Sequence, residues 1–270
     1  MKVTTNPVHN PHADWSAHDW AGYFRKRRAT RPPLPWDDGP QLTPEEQRSV
    51  LGSMAIFQRG ETGEGRHFLR VGRQHAASVG DSGYVDALTL FIAEEGDHAS
   101  LLKRFLEGLD YACLTRNWTD FCFRWLRHQA GLELTISVLL TAEVIAMVYY
   151  AALRRATYCP LLRGICSQIL EDEVFHLQFQ GDRLGRLYAL HPPAVAAIHR
   201  ALHRGGLECV WRVVWWTHRP VFQRADLRFR EGRRRLLGQF RIVMGIAAQA
   251  EGRFRAHAVD GVAECAGGSS

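Results

Sequence analysis

Two stretches of the chain repeat a Glu-x-x-His spacing within an apolar helical pattern. The first carries Glu95 and His98, and the second carries Glu173 and His176. Residues three apart share a face of an α-helix, so each pair directs a carboxylate and an imidazole to one point. Apolar residues recur around both pairs at helical spacing, which predicts that the pairs lie on buried stripes. A buried carboxylate is costly unless it is paired or binds a metal, so the two pairs predict a shared metal centre.

A third helix is predicted over Leu134–Leu153, where Glu143 is the single charged residue. A bundle site with two Glu-x-x-His helices takes one further Glu from each of the other two helices. Glu143 therefore belongs to the predicted site. The segment is also long enough to cross a membrane. A central Glu and three other Glu-bearing helices favour a bundle core instead.

The fourth helix is predicted to run from near Thr43 to about Ser78. Thr43 is followed by Pro and then two Glu residues in the pattern of a helix N-terminus. Two acids, Glu61 and Glu64, lie on its inner stripe. Measured from the turn near Gly80, Glu64 matches the height of Glu95 better than Glu61 does. We predict Glu64 as the ligand and keep Glu61 as an alternative ligand or as a group that contacts the ligands.

The predicted ligands are four carboxylates and two imidazoles: Glu64, Glu95, His98, Glu143, Glu173 and His176. An oxygen-rich set of this kind favours iron or manganese. We expect two iron ions, with manganese as the alternative metal. A structural ion pair is the competing explanation for a buried Glu–His pair. Four buried carboxylates without a cation, however, would repel one another and take up protons.

The layout of residues 43–187 resembles the ferritin-like di-iron carboxylate superfamily, which includes rubrerythrin, the ribonucleotide reductase small subunit and arylamine N-oxygenases. The chain is also similar to bacterial proteins with a ferritin-like domain. The resemblance implies that Asp172 orients His98 and that Glu94 orients His176, because a metal-bound imidazole usually donates its second N–H to a carboxylate.

The expected fold class is all-α, a ferritin-like four-helix bundle with an additional N-terminal arm and C-terminal helices. We place a partly ordered N-terminal arm at 1–42 and the di-metal bundle at 43–190. A C-terminal helical extension that packs on the bundle follows at 191–250, and a flexible tail at 251–270.

The net charge of +6 comes partly from two basic clusters, Arg25–Arg28 with Arg31 and Arg224–Arg241. We interpret both as solvated surface, since no nucleic-acid motif accompanies them, and contact with an anionic membrane surface is the alternative. None of the six cysteines forms Cys-x-x-Cys, and no secretory signal opens the chain. These features favour reduced thiols and a cytoplasmic location.

The resemblance and the site favour an O2-dependent oxidoreductase that takes dioxygen, an unknown small-molecule substrate and an unknown electron donor. A non-catalytic iron-handling or storage protein and a metal-bearing interaction module are the alternatives, and a homodimer is a further expectation. Tyr150 follows the inner stripe near Glu143 and is a weak candidate for a redox-active residue, although a core aromatic is commoner. His67 forms a third Glu-x-x-His with Glu64 but lies off the stripe.

Overall fold

The computed structural model describes residues 12, 14–62, 65–115 and 131–267, with side chains to residue 256. This part of the chain contains helices and no strand, which confirms the expected all-α class. A 3-10 turn lies at Trp36–Asp38. The α-helices of the described residues are α1 Ala17–Ala29, α2 Pro44–Glu61, α3 Gly65–Val79, α4 Ser82–Glu107, α5 Leu132–Ala156, α6 Pro160–Tyr188, α7 Pro193–Thr217, α8 Arg219–Arg224 and α9 Phe229–Gly267.

The bundle is built from α2 with α3, α4, α5 and α6. Thr43 caps α2 as its sequence predicts, because its hydroxyl accepts from Glu46 N while the Glu46 carboxylate accepts from Thr43 N. The second oxygen of Glu46 accepts from Tyr158 N at 2.8 Å. This capping box therefore also ties the start of α2 to the turn between α5 and α6.

The segment predicted as one helix from Thr43 to Ser78 forms two helices. α2 ends at Glu61, Thr62 is its C-cap, and α3 begins at Gly65. Glycine lowers helix stability, which favours a break in this stretch. Gly65 also lies directly against the side chain of Ile92 on α4, where a Cβ would collide. The glycine therefore allows α3 and α4 to approach closely beside the candidate site.

Among the described helices, α5 alone is long and apolar enough to cross a membrane, with a mean hydropathy of 1.9 over its most apolar window. Most of that window is buried inside the protein, however. The side chain of Glu143, at the middle of α5, is buried as well. In this structure α5 is the central helix of the bundle core.

The terminal regions pack on the bundle from different sides. α1 packs on α4 and buries Trp20 and Phe24, and α9 packs along α6. At the second contact Gly185 lies against the backbone of Ala247, so a side chain there would separate the two helices. Because α9 continues to Gly267, most of the segment 251–267 that we expect to be a flexible tail is helical in this structure, and its flexibility stays a prediction.

The region between α4 and α5 is described only in part. From the sequence we expect residues 110–120 to connect the two helices and the aromatic segment 121–126 to cover one end of the bundle. Residues 116–130 lie outside the described residues. The first helical residue after this gap is Leu132, which follows Gly131 as N-cap.

Candidate metal centre

Six ionisable side chains from four helices converge on one small volume. Two overlapping groups each place one ligand atom per residue within 4.8 Å of the others: Glu61, Glu95, His98 and Glu173 in one, and Glu95, Glu143, Glu173 and His176 in the other. Glu95 and Glu173 belong to both groups. The arrangement therefore has the form of two adjacent cation sites that share two carboxylates.

The carboxylate from the first bundle helix in this cluster is Glu61, the last residue of α2. Glu64, the ligand predicted from turn distance, lies outside the described residues. His67 is buried on α3 and contacts Arg70, with 3.1 Å between His67 Nδ1 and Arg70 Nη2. It belongs to neither group of ligand atoms in the described structure.

Each imidazole of the cluster is held by an acid on the opposite helix. His98 Nε2 lies 3.1 Å from Asp172 Oδ2, and His176 Nε2 lies 2.9 Å from Glu94 Oε2. These are the partners implied by the resemblance. Because Nε2 of each ring contacts an acid, Nδ1 of each ring faces the carboxylates of the cluster. A hydrogen bond at one ring nitrogen orients the other nitrogen of a metal-binding imidazole in this way.

Several inward-facing atoms of the cluster are buried without a hydrogen-bond partner. They are Glu95 Oε1, His98 Nδ1, Glu143 Oε2, Glu173 Oε2 and His176 Nδ1. His176 Nδ1 approaches Glu95 Oε1 to 2.9 Å, but the two do not form a well-aligned hydrogen bond. Buried polar atoms normally have a hydrogen-bond partner, so five such atoms without one in a single cluster indicate that the cluster binds cations. Carboxylate oxygens and neutral imidazole nitrogens are suitable donors for two iron or manganese ions.

The charge states of the metal-free cluster support the same interpretation. Burial, followed by repulsion from neighbouring carboxylates, raises the pKa of both Glu61 and Glu143 well above the usual range. Burial also raises the pKa of Glu173, although the neighbouring His176 ring opposes this shift. Burial acts in the same sense on Glu95, but contacts with His176 and His98 outweigh it and lower the Glu95 pKa. Without cations, the cluster therefore holds protons on several of its acids.

Two arginines of the N-terminal arm neutralise the acids behind the imidazoles. Arg31 Nη2 lies 2.6 Å from Glu94 Oε1 and 2.9 Å from Asp172 Oδ2. Arg27 Nε lies 2.7 Å from Asp172 Oδ1. Burial opposes ionisation of Asp172, but its contacts with His98 and these arginines lower its pKa to about 2. The first basic cluster is therefore largely engaged in ion pairs, and the interpretation of Arg27 and Arg31 as solvated surface was wrong.

Gln180 is another contact that sequence reasoning missed. Its side-chain amide donates to Glu143 Oε1, which holds one oxygen of this carboxylate in place. A signal was present, because Gln180 follows His176 by four residues and so shares its face of α6. Arg27 and Arg31 likewise stand four residues apart, but nothing in their local sequence specifies the helices that they contact.

Tyr150 contacts the cluster directly. Its hydroxyl donates to Glu61 Oε1 at 2.5 Å, and burial raises the pKa of this phenol well above its usual value. Tyr149 points elsewhere and is 2.9 Å from Ser53 Oγ, which is also 2.7 Å from His218 Nδ1. Tyr150, the candidate redox-active residue predicted from the inner stripe of its helix, is therefore the tyrosine that contacts a carboxylate of the cluster.

An apolar cavity of about 540 Å³ adjoins the cluster on its carboxylate side. Glu61, Glu95, Glu143 and Glu173 lie on its wall together with aliphatic and aromatic side chains that include Ile56, Phe57, Phe68, Ile92, Val138 and Leu139. Val210, Val213 and Val214 of α7 complete the wall. Both imidazoles are fully buried, whereas the Glu95 side chain is 23% exposed. The cluster is therefore accessible from the carboxylate side and covered on the imidazole side.

The four-helix bundle, with four inward carboxylates and two inward imidazoles, has the ferritin-like fold. No family model matches the chain, and no curated protein matches it in sequence. Two solved structures share its fold. Both are variants of an R2-like ligand-binding oxidase with an aerobically reconstituted Mn/Fe cofactor.

The first of these structures is 16% identical to the chain, with a TM-score of 0.64, and the match covers 87% of this chain and 94% of that one. The second is also 16% identical, with a TM-score of 0.62 and a coverage of 87% and 95%. At this identity the likeness establishes the fold alone.

Proposed function

We propose that this protein is a dinuclear metal oxidase that holds two iron ions, or one manganese and one iron, and oxidises an apolar small molecule with dioxygen. The observation that carries the proposal is the position of four cluster carboxylates on the wall of one apolar cavity. The Mn/Fe cofactor of the structurally similar oxidases supports this choice of metals.

The bound ions would supply the electrons that reduce dioxygen, and the chain determines where that chemistry can act. Glu61 with His98 and Glu143 with His176 would each hold one ion, while Glu95 and Glu173 would contact both. Asp172 and Glu94 fix the imidazole rings from behind. An external electron donor would return the ions to their reduced state.

The residues around the cluster leave its carboxylate side open to a substrate and cover its imidazole side. Arg27 and Arg31 close the imidazole side through ion pairs, which keeps water away from the two rings. The opposite side offers aliphatic and aromatic walls, and such walls bind the apolar part of a ligand. A storage protein has no need for an apolar chamber of this kind beside its metal ligands.

Oxygen consumption tests the proposed activity. Protein loaded with Fe(II) under anaerobic conditions should consume dioxygen on mixing, as followed with an oxygen electrode. Glu143→Ala removes one oxygen-donor ligand from the cluster and should abolish most of this uptake. Equal uptake by the two proteins would refute an oxidase centred on this cluster.

Binding of an apolar fluorescent probe, 1-aminoanthracene, tests the cavity separately. Val214→Trp should fill part of the cavity from α7 and reduce probe binding without removing metal. Leu202→Trp is the matched control, because Leu202 lies on the same helix and is exposed outside the cavity wall. Equal loss of probe binding in both variants would argue against this cavity as the binding site.

A further inference from the structure

A second group of metal-binding side chains lies apart from the dinuclear cluster. Glu133 Oε2 is 2.6 Å from His191 Nε2, and Glu133 Oε1 is 2.6 Å from His199 Nδ1. One ligand atom from each residue lies within 4.8 Å of the other two. We propose that Glu133, His191 and His199 form a mononuclear site for a divalent transition-metal ion such as Zn²⁺.

The three side chains come from three different places in the fold. Glu133 is in the first turn of α5, His191 follows α6, and His199 is in the second turn of α7. Glu133 precedes Glu143 by ten residues on the same helix. At a rise of about 1.5 Å per residue, the two sites are roughly 15 Å apart. The new site therefore shares no ligand with the dinuclear cluster.

The chemistry of this group suits one ion with open coordination positions. Two imidazoles and one carboxylate form the ligand set of several catalytic zinc sites and of mononuclear iron sites. Both rings converge on the same carboxylate, with their centroids 5.1 Å apart. Ligands at about 2.0–2.2 Å from one ion are at most roughly 4.4 Å apart, so small side-chain movements would bring all three within range. Each side chain is partly exposed and has room for such movements.

The backbone around both histidines is held in place by α9. Arg255 Nη2 donates to the carbonyl oxygen of His191 at 2.6 Å and to that of Tyr188 at 3.1 Å. Next to His199, Arg200 forms an ion pair with Glu251. These contacts keep the two imidazoles close to Glu133 before any ion binds, and such preorganisation favours binding.

A cavity of about 610 Å³ gives an ion access to the three side chains. Gln74, His75 and Ser78 of α3 line the same cavity. Carboxylate–imidazole hydrogen bonds alone would require a proton on each facing ring nitrogen. A bound ion satisfies the same atoms without those protons, and it joins α5, α7 and the turn after α6 at one end of the bundle.

Zinc stoichiometry tests this site in the full-length protein. Wild type and His199→Ala are equilibrated with the same excess of ZnCl2, passed over a desalting column and analysed for zinc by mass spectrometry. Wild type should retain one more zinc per chain than the variant, whatever the occupancy of the dinuclear cluster. His191→Ala should lose the same single equivalent.

His18→Ala is the matched control, because His18 is an exposed imidazole outside the group and its replacement should leave zinc content at the wild-type value. Glu133→Gln keeps the shape of the side chain but removes its negative charge. It tests the same site if a histidine variant fails to fold. Equal zinc content in wild type, His191→Ala and His199→Ala would overturn the proposal, as would a full zinc complement in Glu133→Gln. Because the result is a difference between variants, it does not depend on the proposed oxidase activity.

Discussion

Arg31 of the N-terminal arm and Glu94 of α4 form an ion pair, with 2.6 Å between Arg31 Nη2 and Glu94 Oε1. The other oxygen of Glu94 is 2.9 Å from His176 Nε2. A residue outside the four-helix bundle is therefore separated from a predicted metal ligand by a single carboxylate. The N-terminal arm is thus connected to the site by charge as well as by apolar packing.

Replacing Arg31 with Met should destabilise the protein and weaken metal binding. Glu94 and Asp172 are each only 1% exposed, and Asp172 keeps Arg27 as a partner, so the loss of Arg31 leaves chiefly the buried charge of Glu94 without its arginine. Removing one partner of a buried pair costs about 3–5 kcal/mol. Loss of a group behind a metal-binding imidazole lowers metal affinity by about 10–100-fold. Urea unfolding and metal titration measure the two effects.

Arg28→Met is the control for that substitution. Arg28 binds Asp97 and is 45% exposed, and an exposed ion pair contributes at most about 1 kcal/mol. If the Arg28 and Arg31 variants lost the same stability and affinity, the ion pairs behind the imidazoles would have no special role.

Metal content should distinguish Glu61 from Glu64. We expect about two metal ions per chain in wild type, because the ligand atoms form two sites that share Glu95 and Glu173. Glu61→Ala and Glu143→Ala should each remove most of one ion, because each takes away a carboxylate that belongs to one of the two overlapping groups. Glu64→Ala should retain the wild-type content. If Glu64→Ala lost metal and Glu61→Ala did not, Glu64 would be the ligand, as predicted from its distance to the turn.

Tyr150→Phe should reduce metal affinity by about tenfold while leaving the stoichiometry unchanged. The substitution removes the hydroxyl that donates to Glu61 Oε1 at 2.5 Å, so this carboxylate is less well oriented. Tyr149→Phe is the matched control, since the neighbouring hydroxyl contacts Ser53 instead. Metal titration followed by absorbance compares them. Equal affinities in the two variants would show that the Tyr150 contact does not orient Glu61.

Metal binding should release protons, and metal affinity should rise with pH. The raised pKa values of Glu61, Glu143 and Glu173 mean that the metal-free cluster retains protons that cations must displace. Raising the pH removes this competition, so metal affinity should increase as the pH rises above the ordinary pKa range of a carboxylic acid. A pH indicator in weakly buffered solution measures the release. A metal titration without any proton release would contradict these charge states.

Acid should destabilise the protein through His218. Burial lowers the pKa of His218 from its ordinary 6.5 to about 3, so the folded state keeps this ring neutral over a range in which the unfolded chain is protonated. His218 therefore contributes stability above pH 6.5 that is lost as the pH falls towards about 3. The slope is at most about 1.4 kcal/mol per pH unit.

His218→Asn isolates that contribution. Asn supplies an acceptor for Ser53 but does not titrate, so the stability difference between wild type and variant should shrink as the pH falls. Thermal unfolding from pH 7 to pH 4 measures the difference. A difference that stays constant with pH would mean that His218 titrates normally in the folded protein.

The helical class and the core of the site were predictable from sequence because they depend on local spacing. Glu95 with His98 and Glu173 with His176 share helix faces, and Glu143 is the single charge in an apolar helix. The choice between Glu61 and Glu64 depended on assuming one continuous helix. The break after Glu61 invalidates a height argument that counts residues along an unbroken helix.

The sequence alone determined which side chains share a face of each helix, since that follows from the period of the α-helix. Tertiary structure decided which faces meet. Arg31 reaches Glu94 and Asp172, which are distant in the chain, and α7 supplies one wall of the cavity. Such contacts depend on how helices pack across the whole molecule, and local periodicity carries no information about that packing.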